Sequence, residues 1–184
     1  MRRLIKSSAA VIALCALFGT ESANANLIGL DFGSSFMKAT LVKPGKKFEI
    51  VENTASGRKT ASMVTLGKEN RLYGADSLLE SGKYPQSTFA DFWRIFGNKF
   101  DSDALAKFKV DRMVTNDFVA DERGLISWKV QRAAYGEQEA QDEILYAEEV
   151  VAMMLQYYRM LAEKLAGERV DEAVITIPSW FTYE

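Results

Sequence analysis

The strongest constraint on the fold is a run of alternating apolar residues between positions 27 and 42, interrupted by Gly33, Ser34 and Ser35. The alternation predicts two short β-strands, and the Gly-Ser-Ser triplet predicts a tight turn between them. Gly33 lets a ligand approach the backbone, while the N–H groups and hydroxyls of the two serines can converge on an anion. Asp31, at the end of the first strand, can hold a hydrated Mg²⁺ opposite that anion. The segment predicts a phosphate-binding hairpin; the alternative is an ordinary hairpin whose Asp, Gly and Ser only form the turn.

The triplet Asp31-Phe32-Gly33 also has the sequence of the metal-binding triplet of protein kinases, which lies downstream of a His-Arg-Asp catalytic loop. This chain of 184 residues contains no histidine, and its triplet lies near the start. The protein kinase class is therefore excluded.

The first 25 residues have the pattern of a secretory signal peptide. Basic residues precede an apolar run over Ala9–Phe18, and the small-residue sequence Ala23-Asn24-Ala25 predicts cleavage after Ala25. The apolar run is too short to cross a bilayer as a helix, so we expect no membrane insertion. The single cysteine, Cys15, lies in this segment, which leaves no thiol for a disulfide or a zinc site after cleavage. The net charge of −2 gives no support to a nucleic-acid partner.

The residues after the hairpin predict a mixed α/β unit with one core. A third strand is expected over Phe48–Val51, with Phe48 and Ile50 facing inward. A further strand is expected over Ser62–Leu66, followed by a short helix around Ala75–Glu80. The other expected elements are a helix capped by Ser87 or Thr88 and continuing through Ile95, antiparallel strands over Phe108–Val130 around a turn at 121–124, a polar loop over 131–142, and an edge strand over Glu143–Tyr146.

The clearest helix extends from Ala147 to Ala166, and Gly167 is expected to end it. The neighbouring Met153 and Met154 are interpreted as core residues. The strand predicted over Glu172–Pro178 is apolar enough for the centre of a sheet, and because the chain stops soon after it, we expect a fragment of a larger domain. The apolar stripe of the helix is predicted to consist of Ala147, Val151, Met154, Tyr158, Leu161 and Leu165.

Five short segments, taken in order, resemble the nucleotide-binding domain of the seventy-kilodalton heat-shock chaperones. This family has the actin and hexokinase type of α/β fold, which is ribonuclease H-like, and the chain would supply its first lobe over residues 26–184. The resemblance covers nearly all of residues 27–184. The matching segments are Ile28-Gly29-Leu30-Asp31-Phe32-Gly33-Ser34-Ser35, Arg71-Leu72-Tyr73-Gly74, Arg94-Ile95-Phe96-Gly97, Ala147-Glu148-Glu149-Val150, and Ala173-Val174-Ile175-Thr176-Ile177-Pro178-Ser179-Trp180-Phe181.

Within this family, three segments resemble the large member of the endoplasmic reticulum lumen. They are Met37-Lys38-Ala39, Val42-Lys43-Pro44-Gly45 and Glu49-Ile50-Val51. The secretory pattern of residues 1–25 agrees with a lumenal location. The ordinary lumenal members are the near alternative.

The resemblance also implies roles for individual residues. Gly33, Ser34, Ser35 and Phe36 would surround the β and γ phosphates of ATP, and Asp31 would lie near Mg²⁺ through water. The resemblance further implies that Pro178 is the strand-end proline that relays nucleotide state to a substrate domain.

One departure from the family pattern concerns hydrolysis. Where the family's Gly-Asp-Ala-Ala-Lys pattern has a catalytic lysine, the segment Gly74-Ala75-Asp76-Ser77-Leu78 has leucine. Leu78 cannot stabilise charge on a γ phosphate, so slow hydrolysis is expected and no catalytic residue is assigned. The alternative is that Lys83 or another lysine takes this role.

Two classes of function follow from the resemblance. The first is an ATP-binding chaperone that assists unfolded client polypeptides and acts as nucleotide-exchange partner of the ordinary lumenal heat-shock-seventy chaperone. The second is a small-molecule kinase of the same fold, because a fold does not fix a function.

Overall fold

The computed structural model describes residues 25–68, 70–112, 115–132, 141–179 and 181. The predicted signal segment, apart from Ala25, lies outside the described residues. In the described part of the chain no helix has the length and apolar character needed to span a membrane. The described elements form three small sheets, with one long helix packed among them.

The first sheet is built on the predicted hairpin, and its strand order is β11-β1-β2-β3, with β4 also paired to β2. Strands β1 and β2 are antiparallel from the pair Leu27 and Val42 to the pair Phe32 and Met37, which leaves residues 33–35 as the turn. Strand β11 lies parallel to β1 on its other side. The strands are β1 (Leu27–Phe32), β2 (Phe36–Val42), β3 (Glu49–Val51), β4 (Thr60–Ala61) and β11 (Glu172–Ile175).

The other two sheets are three-stranded and antiparallel. The second has the order β6-β5-β7, and the third has the order β10-β9-β8. Their elements are β5 (Met63–Leu66), β6 (Arg71–Tyr73), α1 (Gly74–Glu80), β7 (Thr88–Ala90), α2 (Asp103–Arg112), β8 (Asp117–Ala120), β9 (Ile126–Arg132) and β10 (Gln141–Tyr146).

The long helix α3 (Ala147–Ala166) connects the third sheet to the first. It begins where the Glu149 carboxylate accepts a hydrogen bond of 2.9 Å from the Tyr146 N–H, and it ends at Gly167, whose φ of 76° is the left-handed conformation that glycine adopts without strain. The buried Tyr158 hydroxyl donates to the Met37 carbonyl oxygen at 2.8 Å, which fixes the helix against β2. The predicted bounds of this helix are confirmed.

The apolar stripe of α3 differs from the prediction at its C-terminal end. Met154 and Tyr158 are buried as expected and Met153 packs against the core, but Ala162 is fully buried whereas Leu165 is 39% exposed. A spacing of alternating four and three residues follows a period of 3.5, whereas a straight helix has 3.6 residues per turn, so the stripe drifts around the helix. Leu161 is accordingly only partly buried.

The predicted facing of the third strand is wrong. Phe48 is 71% exposed and Ile50 is 43% exposed, whereas Val51 is buried. Val51 pairs with Ala39, a buried residue of β2, so the two-residue period of the strand places Ile50 on the opposite face.

The helix predicted from Ser87 or Thr88 through Ile95 is also wrong. Residues 88–90 form strand β7, and a short 3₁₀ turn covers Phe92–Arg94. Between them Asp91 has a φ of 54°, a left-handed conformation that a helix cannot contain. Pairing with β5 therefore overrides the helical pattern here.

Three further predictions need correction. Phe108 lies in helix α2 instead of a strand, and α2 buries Leu105 and Phe108, three residues apart, while Val110 is 78% exposed. The polar segment 131–142 is not wholly a loop, because β9 continues to Arg132 and β10 begins at Gln141. The rest of that segment, residues 133–140, lies outside the described residues, and so does Met113 of the predicted strands over 108–130. The strand at 172–175 lies at an edge of the described sheet with all four residues exposed, instead of at its centre.

Candidate functional site

The predicted turn between β1 and β2 is tightly closed around Gly33. A Cβ atom added to Gly33 would lie 2.7 Å from the Phe36 carbonyl oxygen, a distance that real Cβ atoms do not tolerate. The clash is with backbone, so a side chain could be accepted only if the turn changed shape. Gly33 is therefore needed for the conformation of the turn, and its predicted role in letting a ligand approach the backbone stays a prediction.

Ser62, the single residue between β4 and β5, stabilises the turn through two hydrogen bonds. Its hydroxyl donates to the Gly33 carbonyl oxygen at 2.7 Å, and its N–H donates to the Ser35 carbonyl oxygen at 3.0 Å. With these two carbonyl groups bound on one side, the N–H groups of Ser34 and Ser35 donate to no acceptor in the described part of the chain. Successive N–H groups of this kind form a concavity for anions. Sequence reasoning missed Ser62, because it is 29 residues from Gly33 in sequence.

The end of β11 meets the turn from the other side. The Phe32 N–H donates to the Thr176 hydroxyl oxygen at 2.9 Å, and the Thr176 N–H donates to the Leu30 carbonyl oxygen at 3.0 Å. These bonds extend the parallel pairing of β1 and β11 by one step. They bring Pro178, the predicted relay residue, to the edge of the same cleft.

The cleft in front of the turn has a volume of about 210 Å³. Drug-sized ligands occupy pockets of roughly 300–1,000 Å³, so these residues form only part of the site that a nucleoside triphosphate would need. Of the predicted site residues, Asp31, Gly33 and Ser34 line the cleft together. Ser35 and Phe36 are not among its lining residues, and the exposed Phe36 ring lies 4.5 Å from the Lys59 ammonium group. The lining residues are Asp31, Phe32, Gly33, Ser34, Trp93, Thr176, Ile177 and Pro178.

Trp93 forms the aromatic floor of the cleft and was not predicted. The side chain is 4% exposed, and its ring packs edge-on against Phe32 with centroids 4.3 Å apart. The buried indole N–H has no acceptor among the described residues. Asp91, in the left-handed conformation, turns the chain so that Trp93 reaches the cleft. The sequence offered one indication of a functional role for Trp93, namely its position directly before the Arg94-Ile95-Phe96-Gly97 segment.

Leu78 does not lie at this cleft. It is on α1, its side chain is 57% exposed, and it is absent from the residues that line the cleft. Lys83, the alternative, pairs with Glu80 at 3.5 Å and also lies outside the lining. The hydrogen bond with Tyr84 and the Glu80 charge raise the pKa of Lys83, which keeps it charged. The uncharged Trp93 does line the cleft.

Asp31 is the single carboxylate among the described residues that line the cleft. It is exposed, and its Oδ2 atom lies 3.3 Å from the Lys38 ammonium nitrogen. Within the described ranges no group of three or more potential metal ligands occurs. Mg²⁺ is usually held by one or two carboxylates together with phosphate oxygens and water, so one exposed carboxylate beside a turn with two N–H groups that lack acceptors among the described residues fits that ion.

Residues 27–184 match the family model described as Hsp70 protein. The chain therefore belongs to the Hsp70 family, and its fold is that of the family's nucleotide-binding domain, of the actin and hexokinase type. The fold class predicted from the five ordered segments is confirmed. The match does not favour the small-molecule kinase alternative.

Three relatives from vertebrates carry the name hypoxia up-regulated protein 1. The chain is 34% identical over 170 residues to the protein from Xenopus tropicalis, which covers 91% of this chain and 25% of the relative. The Homo sapiens protein is 33% identical over 155 residues, covering 84% of this chain and 15% of the relative. The Danio rerio protein is 30% identical over 183 residues, covering 98% and 18%. The chain thus spans a quarter or less of the length of these relatives, which belong to the branch that residues 37–51 resemble.

Proposed function

We propose that residues 26–184 form the first lobe of the ATP site of a molecular chaperone and follow a signal peptide over residues 1–25. The observation that carries the proposal is the turn braced by Ser62. The carbonyl groups of Gly33 and Ser35 accept hydrogen bonds from Ser62, and the N–H groups of Ser34 and Ser35 have no acceptor among the described residues, so they are free to bind an anion. The family match supports nucleotide binding as the use of this turn.

In this proposal the turn residues hold the phosphates of ATP. The N–H and hydroxyl groups of Ser34 and Ser35 donate to phosphate oxygens, and Gly33 keeps the backbone close enough for them to reach. Phe36 completes the turn that surrounds the β and γ phosphates. Asp31 holds Mg²⁺ through water, and that ion neutralises and orients the phosphates when it is bound.

Hydrolysis at this site is proposed to be slow. Phosphoryl transfer depends on positioned charges that stabilise the γ phosphate. No residue that lines the described cleft is cationic, and its floor is the uncharged Trp93. This lobe is therefore proposed to contribute nucleotide binding, with no catalytic residue of its own.

The full-length protein is proposed to act in the lumen of the endoplasmic reticulum. It would assist the folding of unfolded polypeptides and promote nucleotide exchange on the ordinary lumenal heat-shock-seventy chaperone. The pattern of residues 1–25 supports the location, and the similarity to hypoxia up-regulated protein 1 supports the chaperone role. Faster release of a fluorescent ADP analogue from the ordinary lumenal chaperone would support exchange, and an unchanged release rate would contradict it.

A substitution at Gly33 tests the ATP site directly. Gly33→Ala places a Cβ atom 2.7 Å from backbone and must deform the turn. Loss of even one hydrogen bond to a charged phosphate costs about 1.5–3 kcal/mol, so we expect the ATP affinity of the full-length protein to fall at least about tenfold. Isothermal titration calorimetry measures this change.

Gly82→Ala is the matched control, because a Cβ atom at Gly82 would meet nothing within 4 Å. It should leave the ATP affinity unchanged. Equal affinities for the wild type and Gly33→Ala would contradict the assignment of the turn. Failure of the wild type to bind ATP would contradict the proposed function as a whole.

A further inference from the structure

Asp31 and Lys38 form an ion pair directly across the β1–β2 hairpin. They are register partners in the ladder, so both side chains project from the same face. The Lys38 Nζ atom lies 3.3 Å from Asp31 Oδ2, and the two side chains are 58% and 55% exposed. The pair is therefore in contact with solvent and next to the phosphate turn.

The charge of the cleft gives this pair its importance. Among the described residues that line the cleft, Asp31 is the single charged one, so its negative charge would repel a polyphosphate held by the neighbouring turn. Lys38 is the cation that the described structure places on this carboxylate. The lysine thus neutralises the carboxylate in front of the turn.

An exposed ion pair of this kind is weak, because water screens it and two flexible side chains must be held in place. Its partners can therefore be exchanged at little cost. A hydrated Mg²⁺ is a stronger partner for Asp31 than a lysine, and a polyphosphate is a stronger partner for Lys38 than one carboxylate.

We propose that Lys38 is an exchangeable counterion of the nucleotide site. In the nucleotide-free protein the Lys38 ammonium group pairs with the Asp31 carboxylate. When Mg²⁺ binds that carboxylate, Lys38 contacts the phosphate chain instead. Lys38 thereby makes the binding of metal and nucleotide interdependent. The phosphate contact rests on the proposed ATP site, whereas the competition between Lys38 and a metal ion for Asp31 does not.

The first measurement uses a metal ion alone. Mn²⁺ replaces Mg²⁺ as the probe, because it takes the same oxygen ligands and its free form is detected by electron paramagnetic resonance. In the nucleotide-free, full-length protein, Lys38→Gln removes the competitor and should bind Mn²⁺ about two- to fivefold more tightly than the wild type, the range expected from the strength of an exposed pair.

The second measurement is the affinity for ATP with saturating Mg²⁺, determined by calorimetry. Lys38→Gln should bind about two- to fivefold more weakly, because a cation near the phosphates is lost. Lys38→Arg keeps the charge and should retain most of the affinity. Opposite changes for metal and nucleotide distinguish the proposed role of the Lys38 charge from damage to the fold, which would weaken both.

Lys43→Gln is the control variant. It removes another ion pair of the same sheet, with Lys43 Nζ 3.4 Å from Glu49 Oε1, and neither residue lines the cleft. It should change neither affinity. Unchanged Mn²⁺ affinity in Lys38→Gln, or weaker binding of both Mn²⁺ and ATP, would overturn the proposal. If the wild type bound no ATP, the proposed function and the phosphate contact would both fail, and the Mn²⁺ result would still decide the competition for Asp31.

Discussion

Two hairpin turns in this molecule satisfy their backbone hydrogen-bonding groups in different ways. The turn at 121–124, between β8 and β9, binds its own N–H groups: Asp121 Oδ1 accepts hydrogen bonds from the N–H groups of Arg123 and Leu125 at 2.8 and 2.9 Å. The turn at 33–35, between β1 and β2, binds its carbonyl groups to Ser62 instead.

The aspartate at the start of the turn at 121–124 and the one shortly before the turn at 33–35 explain the difference. Asp121 is 6% exposed and points into its own turn, where it also accepts from the Arg123 guanidinium at 2.6 Å. Asp31 accepts no hydrogen bond from the N–H groups of its turn among the described residues and instead pairs with Lys38 across the strands. A turn whose N–H groups all have acceptors within the turn needs no ligand to satisfy them. A turn whose N–H groups lack an acceptor is suited to bind a ligand.

The largest effect on stability is expected at the turn at 121–124. Asp121→Ala leaves the partly buried N–H groups of Arg123 and Leu125 without their acceptor and leaves the Arg123 guanidinium paired only with Glu148, so the melting temperature should fall by several degrees. ATP affinity per folded molecule should not change, because this turn does not line the described cleft and its N–H groups already have acceptors. Circular dichroism and calorimetry measure the two quantities.

Asp142→Asn provides the control for Asp121→Ala. Asp142 pairs with Lys129 at 2.7 Å in the same sheet, but its side chain is 55% exposed. Its removal should change the melting temperature little, as is usual for exposed pairs. If the two substitutions had equal effects on stability, the turn at 121–124 would not depend on the Asp121 carboxylate.

A smaller effect is expected at the braced turn. Ser62→Ala removes the bond to the Gly33 carbonyl oxygen, which should lower the free energy of unfolding by about 1 kcal/mol. Because the turn then loses its support, ATP affinity should also fall, by about three- to tenfold. The control Ser81→Ala removes a bond of the same length, 2.7 Å to the Leu78 carbonyl oxygen, at an exposed site. Equal ATP affinities for the two variants would show that Ser62 does not shape the turn.

The smallest effect is a dependence of stability on pH. Burial acts to raise the pKa of Asp121, but the hydrogen bonds from Leu125 and Arg123 outweigh it, so the pKa lies below the ordinary value of 3.8. A carboxyl whose pKa is lowered by folding stabilises the protein above its unfolded pKa, and this contribution is lost as the pH falls through the folded pKa. Asp121→Asn should therefore lose less stability than the wild type when the pH is lowered from about 5 to 2. Parallel urea titrations of the two proteins would test this, and identical slopes would contradict it.

The local parts of the site could be predicted from the sequence. The alternation of apolar residues placed the hairpin, and Asp31, Gly33 and Ser34 do lie together at the cleft. Period and composition also placed the long helix, because its pattern repeats over 20 residues. Such signals depend on neighbours in the chain.

The parts that depend on distant contacts could not be predicted. Ser62 and Thr176 reach the turn through bonds that span 29 and 144 residues. Trp93 reaches the cleft through a left-handed Asp91, in a segment whose apolar spacing indicated a helix. The facing of β3 was missed because three residues of strand do not contain enough alternation to fix a register.

Hydrogen–deuterium exchange with and without MgATP tests the central claim most directly, because it reports on the N–H groups of both turns in one full-length sample. Within peptides covering 32–37, the N–H groups of Ser34 and Ser35 should exchange rapidly in the free protein and slowly with MgATP, since they gain phosphate acceptors. Peptides covering 121–126 should exchange slowly in both states, since Asp121 already binds their N–H groups. Equal exchange of residues 32–37 with and without MgATP, in a sample shown by calorimetry to bind the nucleotide, would contradict the account.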